Sequence, residues 1–376
     1  MQTEDIKKTK LEQNGDCCII IDSIGTAGAG ILKPLGLLSP LRGSKLAALV
    51  YQAPSILAKD LSRKKADDLV AILQRAGLEV RVSDNNEKIV PGKKEFETAL
   101  GVKKPETMSN IAALVSDLLG IKMDQACKMI CASPAVLIGS ISACTVKALK
   151  KRFESLGTEL DISRMDKAVY DVFVADCSEN DRAKIQKTLD DCKINTTKHA
   201  ENEIVSQGLD RKQADALWER TARTALPVKI VNRDFQRFDL ILESAPQSKE
   251  MIDLLVSSTG MTKKIADKVI QKPPVVLHQN INFKQTKKHM EDLTGSGAKV
   301  SGRLLAFKTF FLDIIKSTNP NSAALFLQSI GNMDKIESLN ILKSCKSAKG
   351  PFTAAQSRWL QWELKRVGTK TRMVAR

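Results

Sequence analysis

Three groups of residues have types and spacing that bear on catalysis. The first is a glycine cluster, Gly25-Thr-Ala-Gly28-Ala-Gly30, just after an apolar run that ends at Asp22. Glycines at a strand-to-helix turn let backbone N–H groups close around a phosphate. The spacing here is GxxGxG, and no Gly-Lys-Ser or Gly-Lys-Thr follows. The cluster reads as a loop in place of a helix, with helix-forming residues resuming near Ser44. The second group, Ser62-Arg63-Lys64-Lys65, has the S-x-x-K spacing of a serine acylase. The partner motifs of that chemistry are missing, and Ser62 stands where a helix cap is needed. The third group is eight cysteines, at positions 17, 18, 127, 131, 144, 177, 192 and 345, with only three histidines, His199, His278 and His289. No CxxC pair occurs and no histidine lies at zinc-ligand spacing from a cysteine. The cysteines read as reduced thiols packed as small apolar side chains. Asp67-Asp68 and Asp190-Asp191 lie on amphipathic stretches and read as solvated faces. No catalytic, cofactor or metal site is nominated, and the chain is read as a non-enzyme.

A fourth group points to binding instead. The chain has 376 residues with 59 Lys+Arg against 43 Asp+Glu, a net charge of +16. Residues 303–376 alone carry a net +9 and seven of the sixteen aromatics. Trp359, Trp362, Lys365, Arg366, Lys370, Arg372 and Arg376 form a basic, aromatic end with no acidic residue after Glu363. Cations on phosphates and indoles under bases would hold RNA. Residues 303–316, RLLAFKTFFLDIIK, place Leu304, Phe307, Phe311, Ile314 and Ile315 on one helical face. Further helices are expected at 321–330, 333–346 and 353–367, the last opened by Thr353 and Gln356 at capping-box spacing. The whole tail reads as a helical basic segment.

The elements that would position these residues repeat. A cap residue, a helix of about a dozen residues, a break and a short strand occur at 61–83, 141–163, 209–231 and 281–302. The caps are Ser62, Ser142, Asp210 and Asn282, all with side-chain oxygens suited to a helix's free N–H groups. Gly77, Gly157 and Gly295 are expected at the left-handed position after the helix. Upstream, KLAALVYQAPSIL, QACKMICASPAVLI and KIADKVIQKPPVVL each end a helix at a proline and enter a strand. The third copy has no such step. Each unit opens on a strand, giving the order β-α-α-β-α-β in about 70 residues. The fold class is α+β: small modules at 17–84, 95–164, 168–232 and 236–302, between a polar arm at 1–16 and the segment 303–376.

The fourth unit resembles the C-terminal globular domain of the bacterial ribosomal large-subunit stalk protein. The likeness rests on the FDLIL opening at 238–242, Thr259-Gly260 with Lys264 and Ala266 after it, the proline at the strand entry, the capped last helix and the closing Gly297-Ala-Lys-Val strand. The first three units resemble it at the level of fold, so the likeness covers about residues 17–302. The resemblance implies a compact domain that recruits translation GTPases through a basic helix face. That face is not carried over: Asp253, Val256, Ala113, Ser116, Asp267 and Cys127 stand where the family has basic residues. The family's N-terminal dimerisation helices and its hinge are also missing.

These readings lead to a non-enzymatic scaffold or adaptor that binds proteins through tandem modules. The alternatives are a ribosome- or RNA-associated protein docking through the basic tail, and a self-assembling structural subunit. The N-terminus has no apolar core or cleavage site, and no apolar run is long enough to span a membrane. A cytoplasmic location is expected.

Overall fold

The computed structural model describes residues 15–39, 41–174, 177–196, 204–224, 226–305 and 308–375. Most of the polar arm, His199, Ala225, Phe307 and Arg376 lie outside them. The protein is α+β, with five small three-stranded antiparallel sheets among the described residues.

The first sheet holds β1 (Cys17–Ser23), β2 (Ser55–Leu61) and β3 (Glu79–Asp84), with helices α1 (Leu32–Leu38), α2 (Gly43–Tyr51) and α3 (Arg63–Arg75). The second holds β4 (Phe96–Gly101), β5 (Ala135–Ile141) and β6 (Glu159–Arg164), with α4 (Met108–Leu119), α5 (Met123–Cys131) and α6 (Ala143–Glu154). The third is shorter: β7 (Tyr170–Val174), α7 (Glu179–Asp191), β8 (Ile204–Leu209), α8 (Arg211–Thr221) and β9 (Val228–Asn232). Among the described residues it has no second helix before β8, and the proline step is missing there too. The fourth runs β10 (Arg237–Ser244), α9 (Lys249–Thr259), α10 (Lys263–Gln271), β11 (Val275–Asn282), α11 (Phe283–Gly295) and β12 (Lys299–Leu304). In every sheet the first strand lies between the other two.

The C-terminal segment corrects the sequence reading. It is a fifth module, β13 (Phe310–Ser317), α12 (Pro320–Ser329), α13 (Lys335–Ser344), β14 (Ser347–Phe352), α14 (Ala354–Arg366) and β15 (Thr369–Ala375). The three later helices fall where expected, but the described part of 303–316 is strand at both ends, up to Leu304 and from Phe310 on. Phe310, Leu312 and Ile314 are buried in alternation along β13, a period of two. A run this dense in apolar residues satisfies helical and strand spacing alike, and the aromatic and β-branched content decides for strand.

Side-chain spacing explains the helices. In α3, Ala66, Leu69, Val70 and Leu73 recur at helical spacing and are buried. In β10, Leu240 and Leu242 face the same way and join Met251, Leu255, Ala266 and Ile270 in one core. Asp210, Asn282 and Thr353 each form a full capping box with the glutamine three residues on. Ser142 accepts a single bond from Thr145, whereas Ser62 makes no side-chain cap bond.

Two further expectations are corrected. Gly295 is the last residue of α11, and the left-handed position is taken by Gly297 at φ 86°. Gly77, Gly157, Gly297 and Gly368 all have positive φ and stand fifteen residues after their caps. The first module also has a short helix, α1, where a loop was expected; Pro34 sits within its first turn, where a missing N–H costs nothing.

The chain divides into two compact units, one of Met1–Ile130 and Val136–Met165, the other of Cys131–Ala135 and Asp166–Arg376. Each is described separately below.

Candidate functional site: the faces between modules

Each sheet has one face packed on its own helices and one face turned away from them. In the first unit that outer face of β1 is covered by α6, the last helix of the second module. Cys18 through Ile21 are at most 1 % exposed, so the strand is buried on both sides. The contact is pinned by polar groups. Tyr51 donates its hydroxyl to the Leu118 carbonyl at 2.9 Å, and Thr145 Oγ1 donates to the Tyr51 carbonyl at 2.8 Å. Arg152 Nη1 donates to the Ala27 carbonyl at 2.9 Å, and its other arm lies 3.5 Å from Asp117. Burial pushes the Tyr51 hydroxyl pKa up and that of the Arg152 guanidinium down.

The glycine cluster belongs to this packing. Thr26 N bonds the Gly77 carbonyl, and a Cβ on Gly28 would strike the Asp117 carboxylate. A carboxylate at the loop opposes a phosphate there. Among the described residues no group of His, Cys, Asp and Glu is placed to hold a metal ion. His278 and His289 stack ring on ring, with centroids 4.4 Å apart. No helix among the described residues is long and apolar enough to cross a membrane.

In the second unit two of the outer faces carry a buried acid near the start of the central strand. Asp171 on β7 receives Arg233 Nε at 2.9 Å and Nη2 at 2.5 Å, Gln236 Nε2 at 2.7 Å, and the Gly208 N–H at 3.1 Å. The Arg233 guanidinium also lies over the Phe283 ring at the start of α11, 5.4 Å from its centroid. Phe173, Val231 and Leu304, with Phe238 against them, close the rest of this junction as a small apolar cluster.

One module on, Asp239 on β10 repeats the arrangement. It accepts from the Asn280 N–H at 3.1 Å, Arg303 Nη2 lies 3.3 Å from one carboxylate oxygen, and Arg358 Nη2 of α14 lies 3.5 Å from the other. Gly208 and Asn280 both have positive φ, two residues before their helix caps, which turns each N–H toward the acid. A salt bridge buried this way is costly to break, because it strands a desolvated charge. Nothing in the period of the sequence pairs Arg358 with Asp239. The available signal was the acid itself, Asp171 and Asp239, each among the apolar residues of its central strand.

The residues nominated for RNA contact are not brought together. Trp359 is 4 % exposed and donates its indole N–H to Glu363 at 3.3 Å, so it belongs to the core of the fifth module and offers no stacking face. Trp362 is half-buried. Lys365 and Arg366 are exposed in the last turn of α14, and Arg366 pairs with Glu363 at 2.8 Å. Lys370 and Arg372 project from β15, where Arg372 meets Asp313 of β13 at 2.9 Å. Arg376 lies outside the described residues.

On the fifth sheet the outer face is open. Ile315 is 49 % exposed, the Arg372 side chain is 71 % exposed, and Lys316 lies opposite Lys370. Comparison of the sequence with protein-family models, characterised proteins and solved structures finds no match.

Proposed function

We propose that the protein is a non-enzymatic scaffold or adaptor whose tandem modules present helix faces to protein partners. One observation carries this reading. An apolar side chain stands exposed near the start of the second helix in three modules: Met123 at 49 %, Ile265 at 50 % and Ile336 at 70 %. Single exposed apolar residues are ordinary on protein surfaces. Recurrence at one place in the module gives them a common role. Several weak contacts of this kind reach useful avidity when a partner engages them together. The stalk-protein likeness of the modules agrees with this, as that domain also docks proteins through its helices.

The test is affinity capture and cross-linking with the full-length chain against a variant carrying Met123→Asp, Ile265→Asp and Ile336→Asp. The changes are exposed, so folding stays within about 0.5 kcal/mol per site. Specific partners should be lost by tenfold or more in the variant. An unchanged set of partners would sink the reading.

The runner-up, RNA contact, is favoured by one separate observation: the cations Lys316, Lys370 and Arg372 on the open fifth sheet. It predicts binding whose logarithm falls linearly with that of salt concentration, and which is lost in Lys316→Glu/Lys370→Glu. Binding that ignores salt would count against it.

A further inference from the structure

The junction between the fourth and fifth modules holds more positive charge than it uses. A cavity of about 200 Å³ there is lined by Asp239, Arg303, Lys308, Phe310, Arg358 and Met373, among others. That is far above the ~10–15 Å³ a single water needs. Three cations surround one carboxylate. Arg303 and Arg358 both reach Asp239, whose side chain is 8 % exposed. Lys308 is half-buried, and among the described residues its ammonium has neither a hydrogen bond nor an ion pair. Burial and the neighbouring Arg303 push its pKa below the usual lysine value. A desolvated ammonium without an acceptor is unfavourable unless something else supplies one.

We infer that this cavity is an anion site that takes a phosphate group, held by Lys308 together with Arg303 and Arg358. The charge count favours a dianion. Three cations less one carboxylate leave two positive charges, and a phosphate group carries about −1.5 to −2 at neutral pH. A lone carboxylate would leave one cation unmatched. The two guanidinium forks suit tetrahedral oxyanions, giving paired N–H donors. Phe310 and Met373 supply an apolar wall that keeps the local dielectric low and strengthens the contacts. The ligand's source is either free phosphate or a phosphate monoester such as a nucleotide. Because Arg303 belongs to β12, Lys308 to the linker and Arg358 to α14, occupancy would fix the fifth module on the fourth.

The experiment is calorimetric titration of the full-length protein with inorganic phosphate, at constant ionic strength held by chloride. Wild type should bind saturably. Lys308→Ala should weaken binding at least tenfold, and Lys288→Ala, an exposed lysine of α11 that does not line the cavity, should leave it unchanged. Lys308 makes no native bond, so Lys308→Met should melt no lower than wild type without phosphate, which separates lost binding from lost folding. Adenosine monophosphate is the second ligand. Tighter binding than inorganic phosphate, lost in the same variant, assigns a monoester; equal or weaker binding assigns free phosphate. The inference is overturned if phosphate gives no saturable signal in wild type, or binds wild type and Lys308→Ala alike. It is equally overturned if an oligoribonucleotide binds both while phosphate binds neither.

Discussion

The fourth and fifth modules place the same strand in two environments. β10 and β13 are both central strands, and both lean their even-numbered apolar side chains onto their own helices. Their other faces differ. On β10, Asp239 is 8 % exposed beneath Arg358 of the next module. On β13, Asp313 is 28 % exposed and its partner Arg372 is 71 % exposed. One fold therefore uses an acid–arginine pair as a buried lock in one copy and as a solvated surface pair in the next. The difference is one of cover: Arg358 of the next module lies over Asp239, whereas Asp313, Lys316, Lys370 and Arg372 leave the outer face of β13 polar and open.

The largest expected effect of a single substitution is Trp359→Ala, which opens a cavity in the fifth core and should cost about 3–5 kcal/mol by denaturant unfolding. Trp362→Ala, at a half-buried position, should cost visibly less; equal losses would mean the two indoles are not divided between core and surface. Next comes the lock. Asp239→Asn leaves two guanidinium groups beside a neutral side chain and should cost about 3 kcal/mol. Asp313→Asn should cost markedly less, because water screens an exposed pair. If the two substitutions cost the same, the contrast between covered and open faces fails.

The smallest effect is acid dependence at the open face. Ser347 and Arg372 hold the Asp313 carboxyl below its ordinary value. A carboxyl with a depressed folded pKa adds stability above its unfolded pKa, near 4, and loses it as pH falls through the folded value. Arg372→Ala should therefore flatten the fall in melting temperature below about pH 4. An acid limb identical in both proteins would remove Asp313 from the account.

Much of the module was legible in the chain. The caps Asp210 and Asn282, the strand β10 and the proline strand entries follow from local rules, because each is satisfied within a few residues. The fifth module was missed for the same reason. Residues 303–316 place apolar side chains at both helical and strand spacing, so periodicity could not choose between helix and strand, and the basic, aromatic composition drew attention to a surface. The overlooked signal was Thr353, 71 residues after Asn282, with Gly368 fifteen residues further on, in step with the earlier copies. The junctions were not legible. Arg358 lies 119 residues from Asp239, and no spacing rule joins a helix of one module to the back of another's sheet. Trp359 shows the cost of reading composition alone: an indole three residues from a second one became a stacking platform on paper and a core residue in the fold.

The central claim is that, within each unit, the last helix of one module packs on the sheet of the module before it, while the outer face of the fifth sheet is open among the described residues. A double-mutant cycle on the full-length chain in phosphate-free buffer tests it most directly, using Asp239→Asn with Arg358→Gln and Asp313→Asn with Arg372→Gln. A coupling of at least about 1 kcal/mol is expected for the first pair and a clearly smaller one for the second. A negligible coupling between Asp239 and Arg358, or equal couplings in both pairs, would contradict it.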